Sequence, residues 1–255
     1  MPTFSSSHLV LMPSYNTGSK VLETVRDVLA VWQPVWVVVD GSTDGTAESL
    51  RALALRESHL KVLTLTENNG KGAAVLHGLR AAAAEGYTHA LTIDADGQHP
   101  VEKIPMFMAA SLANKDALVL GNPVFDASAP ALRVGGRKIS NWWANLETLG
   151  AGIGDSLFGF RVYPIAPLCK VMESSPWMRR FDFDPEVAVR LCWLGLQPIN
   201  LPAPVRYFTP AEGGVSHFNY LRDNILLSWM HLRLMCGFLL RFPLLLWRKL
   251  SDKRL

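Results

Sequence analysis

Residues 90–100 read Ala90-Leu91-Thr92-Ile93-Asp94-Ala95-Asp96-Gly97-Gln98-His99-Pro100. A short apolar and β-branched run ends abruptly in two carboxylates one residue apart. Such a run predicts a strand buried on both faces. The same figure recurs at residues 9–12, 35–39, 62–65 and 117–120. Between these runs the apolar spacing turns helical. Val21, Val25, Val28 and Leu29 share one face, as do Leu50, Leu53 and Ala54, and Ala73 and Leu76 begin a third stretch. Strand–helix alternation of this kind predicts βαβ units and an α/β fold with a mostly parallel central sheet flanked by helices.

Past residue 121 the rhythm breaks. Residues 122–136, with Pro123, Pro130 and the pair Gly135-Gly136, read as a loop. Residues 138–149 read as a helix, 157–163 as a strand, and 184–194 as a helix stopped by Gly195. Residues 199–208 read as an edge strand broken by Pro202 and Pro204. From residue 218 onward the chain reads as helical. The predicted division is a catalytic α/β domain over 1–215 and a basic, apolar helical tail over 216–255.

Ligands of an open parallel sheet bind beyond the carboxyl ends of its strands. Four polar turns lie there: Pro13-Ser14-Tyr15-Asn16, Asp40-Gly41-Ser42-Thr43-Asp44-Gly45-Thr46, Glu67-Asn68-Asn69-Gly70-Lys71-Gly72, and Asp94 to Pro100. Carboxylates at i and i+2 of an extended backbone point to similar sides. An isolated Asp-x-Asp is usually just a polar turn. At the end of a buried strand, however, the pair Asp94 and Asp96 would repel, and a hard divalent cation relieves that repulsion, with Gln98 as a further oxygen donor. A metal beside Lys71 and the close-approach glycines Gly70 and Gly72 suggests a diphosphate ligand. The alternative for Lys71 is a solvated helix start. The Walker A spacing and a GxGxxG after the first strand are both missing, which argues against a P-loop enzyme and a dinucleotide dehydrogenase.

These four turns, in this order and spacing, resemble the GT-A family 2 glycosyltransferases. Asp155 with Phe158-Gly159-Phe160-Arg161-Val162-Tyr163 is similar to the matching segment of polyprenyl-phosphate sugar synthases of the dolichyl-phosphate mannose synthase type. The likeness covers about residues 8–210. It implies a GT-A fold, an inverting hexosyltransferase, a nucleotide-diphosphate sugar donor and Mg2+ or Mn2+. It implies Asp94, Asp96 and Gln98 as metal ligands. The nucleotide-sugar set would be Pro13, Tyr15, Asn16, Asp40, Ser42, Lys71, Asp94, Ala95 and Asp96. Two positions depart from the family pattern. Val39 stands where many members have an acid, and Thr17 where many have Glu.

Sugar transfer expels a nucleoside diphosphate, whose charge a metal and nearby Lys or Arg stabilise. Arg137 and Lys138 follow the glycine pair, so they are expected to swing over the diphosphate or the acceptor, or else to be a solvated helix start. A hydroxyl acceptor needs a carboxylate base, and Asp155 and Glu186 are the candidates. A phosphate acceptor needs arginines instead. Arg161 either binds such a phosphate or pairs with Asp155. Asp184 reads as an N-cap with Pro185 after it, which gives Glu186 a competing role at the helix start. His217, after Gly213-Gly214, reads as part of a hinged lid or as a structural histidine.

Hydrophobic residues make up 49% and charged residues 18% of the 255, which excludes a disordered chain. Residues 1–216 carry 18 Lys+Arg against 20 Asp+Glu, whereas 217–255 carry 7 against 2. The basic excess therefore belongs to the tail. Interleaved with Leu, Phe and Trp, it suits an anionic membrane surface better than nucleic acid, and no nucleic-acid partner is expected. A spanning helix over 225–247 would have to bury Arg233 and Arg241. Packing on the domain or on a second subunit is the other reading, so an oligomer stays open. Three cysteines without ligand spacing and a start without a secretory pattern predict a cytoplasmic protein, peripheral on the cytoplasmic face of a membrane. The expected function is sugar transfer to a lipid-linked acceptor, with polyprenyl phosphate as the leading case. Its alternatives are a hydroxyl acceptor on a lipid, polyene or saccharide, a nucleotidyltransferase, and a non-catalytic nucleotide-sugar binding protein.

Overall fold

The computed structural model describes residues 1–125, 131–205 and 220–252. Its centre is a seven-stranded sheet. The strands are β2 (His8–Ser14), β4 (Val35–Asp40), β5 (Leu60–Leu65), β6 (His89–Thr92), β7 (Leu118–Val124), β8 (Arg161–Pro164) and β9 (Pro198–Pro204), in the spatial order β5-β4-β2-β6-β8-β7-β9. All neighbours are parallel except β8, which runs antiparallel to both β6 and β7. A separate two-stranded ladder pairs β1 (Thr3–Phe4) with β3 (Trp32–Gln33).

Alternate residues of the strands feed two cores. Leu9, Leu11, Trp36 and Val38 face one side, where they meet α3 (Lys71–Ala84), α6 (Ile165–Glu173) and α7 (Phe183–Leu194). Val10, Met12, Val35, Val37 and Val39 face the other, under α1 (Lys20–Leu29), α2 (Thr46–Ala54) and α4 (Ile104–Ala113). A sheet covered on both faces leaves its strand ends as the open edge. The chain reverses direction of travel between β2 and β6, and a cleft forms at that switch point.

The second half departs from the expected elements. The helix predicted from residue 138 is α5 (Ala131–Glu147), so Gly135 and Gly136 lie inside a helix rather than in a loop. Each glycine costs helix stability of about 1 kcal/mol relative to Ala, and tertiary packing overrides that local preference. The predicted strand over 157–163 shortens to β8, because residues 157–160 turn across the strand ends. Helices α4 and α6 were not foreseen.

The tail is a single helix, α8 (Tyr220–Asp252), and it runs through Pro243. Met230, Leu234, Phe238 and Leu245 join the core beside α5 and α7. The predicted boundary at 215/216 and His217 lie outside the described residues.

Candidate active site

Two of the four polar turns brace each other. Thr43 N–H donates to Asn16 Oδ1 at 2.9 Å, and Asn16 N–H to Ser42 Oγ at 3.0 Å. The next brace is Asp40, whose oxygens accept from Asn69 N–H at 2.9 Å and Gly70 N–H at 2.7 Å. Burial raises the Asp40 carboxyl above the usual range, against the pull of those two amides and of Arg180. Gly41, at φ +66°, lets the second turn pass against the backbone of Glu67 and Asn68.

Beyond this brace lies a cavity of about 1520 Å³. Pro13, Tyr15, Asp40, Lys71, Asp94, Ala95, Asp96, Gln98 and Arg137 line it, from four strand ends and α5. Asn16 and Ser42 stand behind the wall and shape it. Lys138, Asp155, Arg161 and Glu186 do not line it.

The carboxylates form the polar floor. Lys71 Nζ lies 2.8 Å from Asp94 Oδ1 and 2.7 Å from Asp184 Oδ2. Burial works against the ammonium, but Asp184 and Asp94 hold its pKa above that of an ordinary lysine. Burial likewise works against Asp94, but the Lys71 ammonium brings its pKa down to about 2. Asp96 is the opposite case: burial and the Asp94 charge push it up to about 6. Asp94 N–H donates to His99 Nδ1 at 3.1 Å, which fixes the His99 proton on Nε2, facing Asp94 Oδ2 at 3.6 Å. His99 is packed edge-on to Phe158, and its burial lowers the pKa to about 4.

Asp94, Asp96 and Gln98 offer only hard oxygen donors. Two carboxylates with an amide oxygen match a divalent cation that completes its shell from water and phosphate oxygens. Among the described residues no group of three or more His, Cys, Asp or Glu forms a self-sufficient metal cage. The residues present therefore fit a cation shared with a phosphorylated ligand.

The remaining candidates have other partners. Arg161 is wholly buried. Its guanidinium donates to the backbone carbonyls of Phe158 at 2.7 Å, Asp184 at 2.5 Å and Asp155 at 3.1 Å. It reaches neither the cavity nor the Asp155 carboxylate, because it ties three segments together from behind. Glu186 is also wholly buried, between Arg190 at 2.7 Å and Arg233 of α8 at 2.9 Å. Asp182, not Asp184, takes the N-cap position of α7, which frees Asp184 for Lys71. Asp155 accepts from Leu157 N–H at 2.9 Å, and Arg137 Nε lies 3.3 Å from it. Arg137 and Lys138 stand in the body of α5, so no glycine hinge precedes them. His99 and Arg180, both on the cavity wall, were not singled out in the sequence, and Asp184, also on that wall, was read only as an N-cap. For His99 the signal was present within the Asp94–Pro100 turn.

A doubly covered, mostly parallel sheet with an Asp-x-Asp at the switch-point cleft is the arrangement expected of a GT-A glycosyltransferase. Comparison with known proteins agrees. The family model for glycosyl transferase family 2 matches residues 9–169, and the chain belongs to that family. It is 30% identical to polyprenol monophosphomannose synthase of Mycolicibacterium smegmatis over 223 residues, 82% of this chain and 79% of that one. It is 26% identical to undecaprenyl-phosphate mannosyltransferase of Micrococcus luteus over 76% of this chain and 81% of that one. The fold is that of glucosyl-3-phosphoglycerate synthase from Mycobacterium tuberculosis, crystallised with Mn2+, UDP and glucosyl-3-phosphoglycerate. That match has a TM-score of 0.56 at 19% identity and covers 82% of this chain and 75% of the other.

Proposed function

We propose that this glycosyltransferase moves a sugar from a nucleoside diphosphate sugar to a polyprenyl phosphate at a membrane surface, with inversion at the anomeric carbon. One observation carries the reading. The same cavity that holds Asp94, Asp96 and Lys71 at its polar end continues past Arg137 to an apolar wall of Ile139, Trp143, Leu227, Leu232 and Met235. A charged donor and a lipid tail thus have adjoining places in one space. The names of the two relatives, a polyprenol monophosphomannose synthase and an undecaprenyl-phosphate mannosyltransferase, support the same acceptor class.

In this reading Pro13, Tyr15 and Asp40, with Asn68 and Arg180, border the nucleoside. Asp94, Asp96 and Gln98 hold Mg2+ or Mn2+, which supplies Lewis-acid stabilisation of the departing diphosphate. Lys71 adds a fixed positive charge beside it. Arg137 orients the acceptor phosphate, whose oxygen is already ionised and attacks opposite the leaving group, so a single displacement inverts the centre. The placement of Asp155 favours phosphate over hydroxyl acceptors: its oxygens already accept from Leu157 and Asn141, behind Arg137.

α8 supports the membrane element. Leu239, Leu240, Phe242, Leu244, Leu246, Trp247 and Leu250 are exposed along it, and Ile139 and Trp142 of α5 extend the apolar surface. Among the described residues, 221–251 form one helix long and apolar enough to cross a membrane. Its packing through Met230, Leu234 and Phe238 favours a helix lying along the surface, with basic side chains snorkelling.

The test has two parts. Thermal shifts with UDP, GDP, CDP and dTDP, each with Mn2+ or EDTA, identify the donor class. Transfer of labelled sugar to farnesyl phosphate and to farnesol then separates the acceptors. Label entering only the phosphate is expected, and label entering farnesol equally well would overturn the acceptor reading.

A further inference from the structure

The loop before β8 and helices α5 and α8 share one buried hydrogen-bond chain. It meets the cavity through an ion pair rather than a hydrogen bond, with Arg137 Nε 3.3 Å from Asp155 Oδ2. Asn141 Nδ2 donates to that oxygen at 3.3 Å, and Asn141 Oδ1 accepts from Ser156 N–H at 2.7 Å. Ser156 Oγ lies 3.0 Å from Ser140 Oγ, which lies 3.2 Å from His231 Nε2 on α8. His231 Nδ1 lies 3.0 Å from Glu147 Oε1. Asp155, Ser156, Ser140, His231 and Glu147 are all at least nine-tenths buried.

Glu147 Oε1 accepts from His231 Nδ1, and His231 Nε2 faces the Ser140 hydroxyl. The Ser156 hydroxyl stands between two acceptors, Ser140 Oγ at 3.0 Å and Asn141 Oδ1 at 2.8 Å, and so joins the two parts of the chain. The Ser156 amide fixes the Asn141 side chain with its oxygen inward, so that its NH2 faces Asp155. A buried polar group left without a partner is costly, so a break at one end is met by rearrangement along the chain.

α8 has a second polar latch, Arg233 to Glu186, which leads to Arg190, and Arg233 also lies 3.9 Å from Asp182, which accepts from the Arg180 backbone N–H. The His231 chain leads instead to the Arg137 guanidinium. We propose that His231 and Glu147 are positioning residues for Arg137, which makes the C-terminal helix part of the acceptor-phosphate site as well as a membrane contact. This rests on the assignment of Arg137 to the acceptor phosphate.

The test uses the full-length protein, farnesyl phosphate as acceptor probe, and a nucleotide sugar that the wild type turns over. Arg137→Ala is expected to raise the acceptor KM, and His231→Ala to raise it by about tenfold. His231→Ala should leave the donor KM and the nucleotide thermal shift unchanged, and should add nothing in the Arg137→Ala background. Arg233→Met should lower the melting temperature while holding the acceptor KM within about twofold. Should His231→Ala fail to fold, Ser140→Ala cuts the same chain by one hydroxyl and is read by the same criteria. The proposal is overturned if the His231 effect persists undiminished without Arg137, if it is absent, or if Arg233→Met reproduces it. An unchanged acceptor KM in Arg137→Ala would instead remove the acceptor assignment itself.

Discussion

Replacing Asp96 by Asn should make the metal-free protein more stable while abolishing its response to metal and nucleotide. Asp96 sits in a field that resists its charge: burial and the Asp94 carboxylate raise it from 3.8 to about 6. A carboxyl whose folded pKa is raised binds its proton more tightly in the folded state. Its stabilising contribution is complete below about pH 3.8 and is lost as the pH rises through about 6. At pH 7.5 the ionised group therefore weighs against folding by at most about 3 kcal/mol. Partial exposure and the shared repulsion with Asp94 bring the working figure to about 1–2 kcal/mol. Asn keeps an oxygen for the Gln98 amide, now 3.0 Å away, and carries no charge. For a domain of this size that gain corresponds to a rise in Tm of roughly 3–6 °C. The assay is thermal melting in EDTA at pH 7.5 and 4.5, then with Mn2+ and the nucleotide that stabilises the wild type. The gain should appear at pH 7.5 and largely vanish at pH 4.5. Mn2+ with saturating nucleotide, about 2.7 kcal/mol at a hundredfold excess over Kd, should stabilise only the wild type. A variant that melts below wild type at pH 7.5, or gains equally at both pH values, would refute the argument that Asp96 is held ionised against its surroundings.

Glu186→Gln strips the charge that neutralises Arg190 and Arg233, and breaking such a buried pair costs about 3–5 kcal/mol, measured by urea unfolding. Per folded molecule its turnover should match wild type; a large fall in kcat with intact stability would return Glu186 to the chemistry. Gly159→Ala places a Cβ 2.5 Å from Lys71 Nζ and 3.1 Å from Asp94 Oδ2, so it should weaken nucleotide binding in a titration with Mn2+ by displacing Lys71. Leu239→Ser with Leu240→Ser removes side chains that are 63% and 84% exposed. Since burying a leucine contributes about 1.5–3 kcal/mol, the pair should weaken sedimentation with anionic vesicles by roughly 30-fold or more and leave Tm unchanged.

The first half of the fold was legible because its strands are buried on both faces. Runs such as Val35-Trp36-Val37-Val38-Val39 admit little else, and each ends in a polar turn that can only lie at the sheet edge. The second half was obscured where tertiary contacts overrule local preference. Gly135 and Gly136 signal a loop by propensity, yet a Cβ on either would meet nothing within 4 Å, and the helix runs through them along the cavity wall. Pro243 likewise signals a break that α8 does not make. At the site, Asp94, Asp96 and Lys71 could be placed because strand-end chemistry follows from local sequence. The partnership of Lys71 with Asp184 could not, since it joins residues 113 positions apart.

The segment Phe158-Gly159-Phe160-Arg161 shows why a recognisable motif need not consist of ligand-binding residues. Phe158 and Phe160 lie against His99, whose Nδ1 holds the backbone amide of Asp94. Gly159 leaves the space that the Lys71 ammonium occupies beside Asp94. Arg161, buried beneath, grips the carbonyl of Asp184, whose carboxylate holds Lys71 from the other side. Each residue of the motif thus bears on the position of a cavity-lining charge, and Arg161 does so without reaching the cavity. A guanidinium is well suited to this task, because its five donors in a fixed plane can bind several carbonyls at once while its charge stabilises the carboxylates nearby. Lysine at this position would keep the charge and lose the geometry. The motif is therefore first a frame that sets the distance between Asp94, Lys71 and Asp184, with Phe158 and Gly159 facing the cavity and Phe160 and Arg161 behind them.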